Sequence, residues 1–155
     1  MRRAFTMLEL VFVIVVLGIL AGIAIPKMMA TRTDAQVAKA RSTVAAVRSG
    51  IVNERQMRLF RGDNTWVTQL DDVTDYNVSD KTIFDGNVTN PILMYGVRTS
   101  TDEGHWVKSA VNTYAYKGFA DTDVIFTYDY GDGSFDCNDS TGDADQDDLC
   151  RDLTR

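Results

Sequence analysis

Histidine is almost missing from this chain: His105 is the single one. It lies between Gly104 and Trp106, where a strand is expected to start. No serine or cysteine has a base that the sequence assigns to it. An anchored enzyme with an acid, a base and a nucleophile is therefore disfavoured, and the chain is read as a non-enzyme. Cysteine is scarce too. Cys137 and Cys150 are the two present, and no histidine or further cysteine accompanies them, which argues against a zinc site. No internal repeat is found. Charge is missing from positions 10 to 25. Basic residues thin out beyond position 61, where six stand against nineteen acidic ones, a net of −13. Nothing in that distribution suggests a nucleic-acid partner.

What is present falls into four zones. The 155 residues fit one compact domain plus an N-terminal extension. Residues 1–4 form a short basic tip with Arg2 and Arg3. Residues 5–25 are apolar except for Thr6 and Glu9. As a helix that zone rises roughly 31 Å, about the thickness of a hydrocarbon core. Residues 26–61 continue the helix, with small or apolar side chains at Ala30, Thr33, Val37, Ala40, Val44, Val47 and Ile51. These alternating steps of three and four mark one amphipathic face. Lys39, Arg41, Arg48 and Arg55 lie off that stripe. The zone holds eight basic and two acidic residues, read as a juxtamembrane surface near anionic headgroups or acidic neighbours. Pro26 predicts a kink and Gly62 a stop.

Residues 62–155 are the head. Residues 63–89 are rich in Asp, Asn and Thr and read as irregular, with one short element near positions 66–70. Strands are expected at 92–97, 106–110, 113–116 and 124–130. In the last, Val124, Phe126, Tyr128 and Tyr130 share one face. Gly131-Asp132-Gly133 is a turn leading to Phe135. Tyr114, Tyr116, Tyr128 and Tyr130 read as sheet-face packing with phenol tips at the rim, a ligand platform being the alternative.

The membrane segment makes an exported head, and in an exported head Cys137 and Cys150 read as a disulfide. Closing a loop of about 14 residues stabilises by roughly 3 kcal/mol on the chain-entropy model. The tail around it is expected to be held by that bridge alone. Asp143, Asp145 and Asp147 have the alternate spacing that suits hard oxygen ligands, so they stand as a candidate calcium site. Against it, the sixth position is Asp148 rather than Gly and no distal Glu follows. A solvated acidic loop is the plainer reading.

Glu9 decides the N-terminus. An ionised carboxylate in a membrane helix costs roughly 2.5–3.5 kcal/mol on insertion scales, so it calls for a partner. The free amine of Phe5 on a neighbouring, axially shifted chain would serve, and the pair would set the stagger between subunits. The run Arg2-Arg3-Ala4-Phe5-Thr6-Met7-Leu8-Glu9-Leu10, followed by the apolar helix and Pro26, resembles the N-terminus of type IV pilins and of the pseudopilins of type II secretion systems. The resemblance implies cleavage between Ala4 and Phe5 by prepilin peptidase, N-methylation of Phe5, and an assembly role for Glu9. Gly18 and Pro26 match positions where the helix loosens in assembled filaments. Ala4 stands where the family usually has Gly; both are small. Calcium in the C-terminal loop of some secretion pseudopilins bears on the aspartates.

The expected fold is α+β and pilin-like, a long N-terminal helix packed on a small antiparallel sheet. The expected function is a structural subunit that polymerises with itself, of a type IV pilus or a type II secretion pseudopilus. Residues 5–25 would anchor it in the bacterial cytoplasmic membrane, head outside. The resemblance implies an inner-membrane assembly platform and a motor ATPase as further partners. The alternative is a minor pilin or anchored binding module using the acidic C-terminal loop. Two other readings stand beside these. One is an ordinary signal peptide cut near Gly22-Ile23-Ala24. The other is a plain single-span anchor, which leaves Glu9 unpaired.

Overall fold

The computed structural model describes residues 5–86, 91–119 and 122–155, with the backbone alone at 25–31. Ala4 and the rest of the expected leader lie outside the described residues. The chain divides into two units, one up to Ala35 and one from Gln36 to Arg155. Helix α1, Met7–Phe60, contributes to both. It is helical through Pro26 without a break, although Pro removes the backbone hydrogen bond to the carbonyl four residues earlier.

In the first unit residues 5–24 are all exposed. Met7–Ala24 is long and apolar enough to cross a membrane. At about 1.5 Å per residue its rise is roughly 27 Å.

The second unit builds its core around the amphipathic half of α1. Ala40, Val44, Val47 and Ile51 are buried, as their spacing predicts. Gly50 extends the stripe. A Cβ there would stand 2.4 Å from the Ile92 carbonyl oxygen, so only glycine lets the loop close on the helix. The helix ends in a glycine stop: Gly62 has φ +82°, its N–H donates to Leu59 O at 3.0 Å, and Asp63 N–H donates to Arg58 O at 2.9 Å.

A four-stranded antiparallel sheet runs in chain order β3 (Trp106–Ala110), β4 (Thr113–Lys117), β5 (Asp123–Asp129) and β6 (Ser134–Cys137). Register sets Trp106 opposite Tyr116, Tyr114 opposite Phe126, and Tyr128 opposite Phe135. Alternation then points Val124, Phe126 and Tyr128 inward and Ile125, Thr127 and Asp129 outward. Phe84 joins the inward aromatics, 4.5 Å from Tyr114 between ring centroids. A two-stranded ribbon pairs β1 (Thr82–Ile83) with β2 (Val97–Arg98). Helix α2, Ala144–Thr154, ends the chain.

Five expectations need correction. The strand expected at 92–97 survives only at its end, in β2. Ile92 turns inward while Met94 and Tyr95 are exposed, and Leu93 N–H donates to Phe84 O at 2.9 Å instead of to a partner strand. No helix or strand forms at 66–70; Val67 and Leu70 are buried as single anchors. Tyr130 falls beyond β5 and is 60% exposed. The other three phenol tips are inside rather than at the rim: Tyr114 donates to Asp71 Oδ2 and Tyr128 to the Val67 carbonyl, and Tyr116 Oη is buried. Finally, the tail is a helix. Cys150 and Leu153 of α2 enter the core, so the disulfide is not its sole tie.

Candidate functional site

The N-terminal segment starts at a cap. Glu9 N–H donates to Thr6 Oγ1 at 3.3 Å and Leu10 N–H to Thr6 O at 3.1 Å. Glu9 is therefore the acidic residue of the first turn of α1, where the helix dipole favours a negative charge. Phe5 and Glu9 are both exposed, and no hydrogen bond of the Glu9 carboxylate is found among the described residues. Gly18 has open space where a Cβ would stand. No contact among the described residues demands glycine there. At Pro26 the backbone alone is described.

The C-terminal segment explains part of the basic surface of α1. Arg41 Nε donates to Asp152 O at 2.6 Å. Arg48 Nε donates to Phe135 O at 3.0 Å, its Nη1 to Thr154 O at 3.3 Å, and its guanidinium pairs with Asp136. Two cations thus meet the carbonyl end of α2, where positive charge is favoured. At the other end Asp143 is the N-cap, accepting from Asp145 N at 3.1 Å and Gln146 N at 3.3 Å. Asp147 accepts from the amide and hydroxyl of Thr141, which hold its carboxyl below the usual range. Asp143 and Asp147 are thus engaged by the start of a helix. Among the described residues no group of three or more His, Cys, Asp or Glu is gathered as a metal ion needs. Cys137 and Cys150 are bonded, with 6.0 Å between their Cα atoms.

A buried ion pair sits under the sheet. Lys108 Nζ lies 2.6 Å from Asp71 Oδ1 and donates to Val73 O at 2.6 Å. Tyr114 Oη donates to Asp71 Oδ2 at 2.6 Å. Burial, with Asp71 second, raises the Tyr114 pKa far above its ordinary value, so the phenol stays a donor. Asp85 nearby is pushed up, chiefly by burial. The pair is almost fully buried and fixes the loop of residues 71–73 to the sheet.

Against known proteins, no family model and no solved structure matches this chain. The chain is similar to a type II secretion system core protein G. That relative, from Dickeya chrysanthemi, is 36% identical over 64 residues, which is 41% of this chain. The chain spans 38% of that relative's length. This agrees with the resemblance to secretion pseudopilins read from the N-terminal residues, and the α+β architecture is of the pilin-like kind.

Two features escaped the sequence. Asp71 and Lys108 are 37 positions apart, and no local pattern joins them. Helix α2 had a readable start, Asp143 ahead of Leu149, Cys150 and Leu153, masked by five aspartates over Asp143–Asp152. Cys137→Ser is expected to lower the stability of the C-terminal segment by about 3 kcal/mol. Hydrogen exchange along α2 should rise accordingly, while exchange in β3 and β4 stays near wild type. Unchanged exchange in α2 would show that Leu153, Arg41 and Arg48 hold the helix without the bridge. Position 137 is the cleaner choice, because serine at buried Cys150 would also bury a hydroxyl.

Proposed function

We propose that this chain is a structural subunit of a secretion-type filament, made as a precursor. Prepilin peptidase cuts between Ala4 and Phe5 and methylates the new amine of Phe5. Residues 5–25 hold the subunit in the cytoplasmic membrane with the head outside. An assembly platform and a motor ATPase then draw it into a helical polymer, in which Glu9 meets the Phe5 amine of a neighbour. A repeated head-to-tail contact of this kind does not close, so it makes a filament.

The observation that carries the reading is the character of α1. An exposed apolar span with one carboxylate in its first turn continues, in the same helix, into the buried stripe of the head. The similarity to a secretion system core protein favours the pseudopilus over the pilus. The acidic C-terminal loop, engaged in starting α2, lends little to the alternative of a binding module.

The test is the intact mass and first residue of the protein recovered from cell envelopes. A chain beginning at Phe5 and heavier by one methyl group is expected. A chain beginning near Ile25 would mean an ordinary signal peptide, and the filament reading would be abandoned.

A further inference from the structure

One five-residue pattern recurs in the head. Asp75-Tyr76-Asn77-Val78-Ser79, Asp85-Gly86-Asn87-Val88-Thr89 and Asp136-Cys137-Asn138-Asp139-Ser140 each hold an Asn with a hydroxyl residue two places after it and an Asp two places before. Asn-x-Ser/Thr, with x other than Pro, is the acceptor triplet for sugars attached to asparagine in exported proteins. Seven asparagines and twenty-three serines and threonines would give about one such triplet by chance in 155 residues. Three are present, and the Asp before each is a shared mark that the triplet alone does not require. The middle one lies outside the described residues and forms no part of the site.

The structure separates the other two. A modified asparagine must stand in the open, on a stretch that an enzyme can reach. Residues 74–77 belong to no helix or strand, and Asp75, Tyr76, Asn77 and Ser79 are exposed. Asn77 N–H donates to Lys108 O at 2.8 Å, which ties the turn to β3. Its φ of +56° is a left-handed conformation that asparagine tolerates. Its carboxamide has no hydrogen-bond partner among the described residues. Asp75 is paired with the exposed Lys81 at 2.6 Å, a surface bridge of the kind worth little. Ser79 Oγ accepts from Thr101 N–H at 3.1 Å and stays exposed.

Asn138 is exposed as well, but its Oδ1 accepts from Ser140 N–H at 3.1 Å. Cys137 beside it is bonded to Cys150, and Asp136 is paired with Arg48. Its carboxamide is already engaged and its neighbour covalently anchored, so Asn77 is the better acceptor.

We propose that Asn77 is an attachment site for an oligosaccharide, recognised through the Ser79 hydroxyl and the Asp75 carboxylate. The donor is a sugar activated as a lipid-linked pyrophosphate, and a membrane transferase on the side of the head carries out the step. Asn77 Nδ2 attacks the anomeric carbon. A C–N bond forms, and the bond from that carbon to the pyrophosphate oxygen breaks. The electron pair leaves with the pyrophosphate, and the carboxamide proton passes to a basic group of the transferase. The sugar shields an exposed, irregular stretch of the kind that proteases nick first. The site rests on the exported head of the proposed reading and not on filament assembly.

The experiment uses the full chain recovered from the envelopes of the cells that make it naturally. Trypsin places Asn77 in the fragment of residues 62–81 and Asn138, after reduction, in that of residues 118–151. Asn64, in the first fragment, has Trp66 two places on and is the negative reference. Fragmentation mass spectrometry that keeps sugars attached locates the modification. A sugar on Asn77 is expected, lost in Ser79→Ala, retained in Ser79→Thr and roughly tenfold less abundant in Asp75→Ala. A bare Asn77, or a sugar there that survives Ser79→Ala or is undiminished in Asp75→Ala, overturns the site, whatever Asn138 carries. The first residue of the chain, read in the same digest, decides the filament reading separately.

Discussion

Lys108→Met is expected to cost the folded second unit about 3–5 kcal/mol, because it leaves a buried carboxylate without its cation. Methionine keeps most of the side-chain volume, so the loss reads charge rather than a cavity. Asp71 and Lys108 have side chains 0% and 4% exposed, so water cannot take the place of the ammonium. Asp71 would retain the Tyr114 hydroxyl and the Val73 amide, the latter at 3.0 Å. These are neutral donors and offset part of the charge only. Urea unfolding of the full chain in detergent, followed by tryptophan fluorescence, measures the effect. The double variant Asp71→Leu with Lys108→Met should recover much of the loss, since removing both charges also removes both desolvation costs. A single-variant loss under about 1 kcal/mol would mean that water reaches the pair and that it behaves like a surface bridge.

Glu9→Ala is expected to leave membrane insertion intact or improve it, while filament yield falls by roughly ten- to a hundredfold. Insertion improves because a carboxylate in the apolar segment costs about 2.5–3.5 kcal/mol. On the proposed pairing with a neighbour's amine, each subunit contact would lose a charge-assisted bond worth about 1.5–3 kcal/mol. Glu9→Gln separates charge from shape, and should assemble nearly as poorly as the alanine variant. Envelope fractionation checks insertion, and sheared-filament yield checks assembly. Wild-type yield from Glu9→Ala would remove the pairing of Glu9 with a neighbouring amine. The carboxylate would then be no more than the first-turn acid that the Thr6 cap and the helix dipole favour.

Periodicity was the part of the fold that could be read in advance. Val44, Val47 and Ile51 repeat with the helix, and Val124, Phe126 and Tyr128 alternate with the strand; both sets are buried where those periods put them. The cysteine pair and the Gly62 stop were legible because each rests on a local chemical property. Non-local features were not. Residues 92–97 look like a strand by composition, yet the Gly50 notch draws Ile92 to the helix and leaves Met94 and Tyr95 outside. The basic character of α1 reads as a juxtamembrane surface near anionic headgroups or acidic neighbours; Arg48 does pair with Asp136, while the sequence does not show that Arg41 and Arg48 also bind the carbonyl end of a helix more than a hundred positions later. Trp106 and Tyr116 face each other through strand register, which sequence spacing alone does not show.

The order in which this chain is made has a consequence for when it can fold. The stripe of α1 emerges early, but its companions in the core are Phe135, Cys150 and Leu153 as well as the sheet. The second unit therefore has no complete core until its last eleven-residue helix has left the ribosome. The contacts that close it join the α1 stripe to Phe135, Cys150 and Leu153, which raises the contact order and slows folding. Until then the apolar face of α1 is left partly uncovered, a surface prone to sticking.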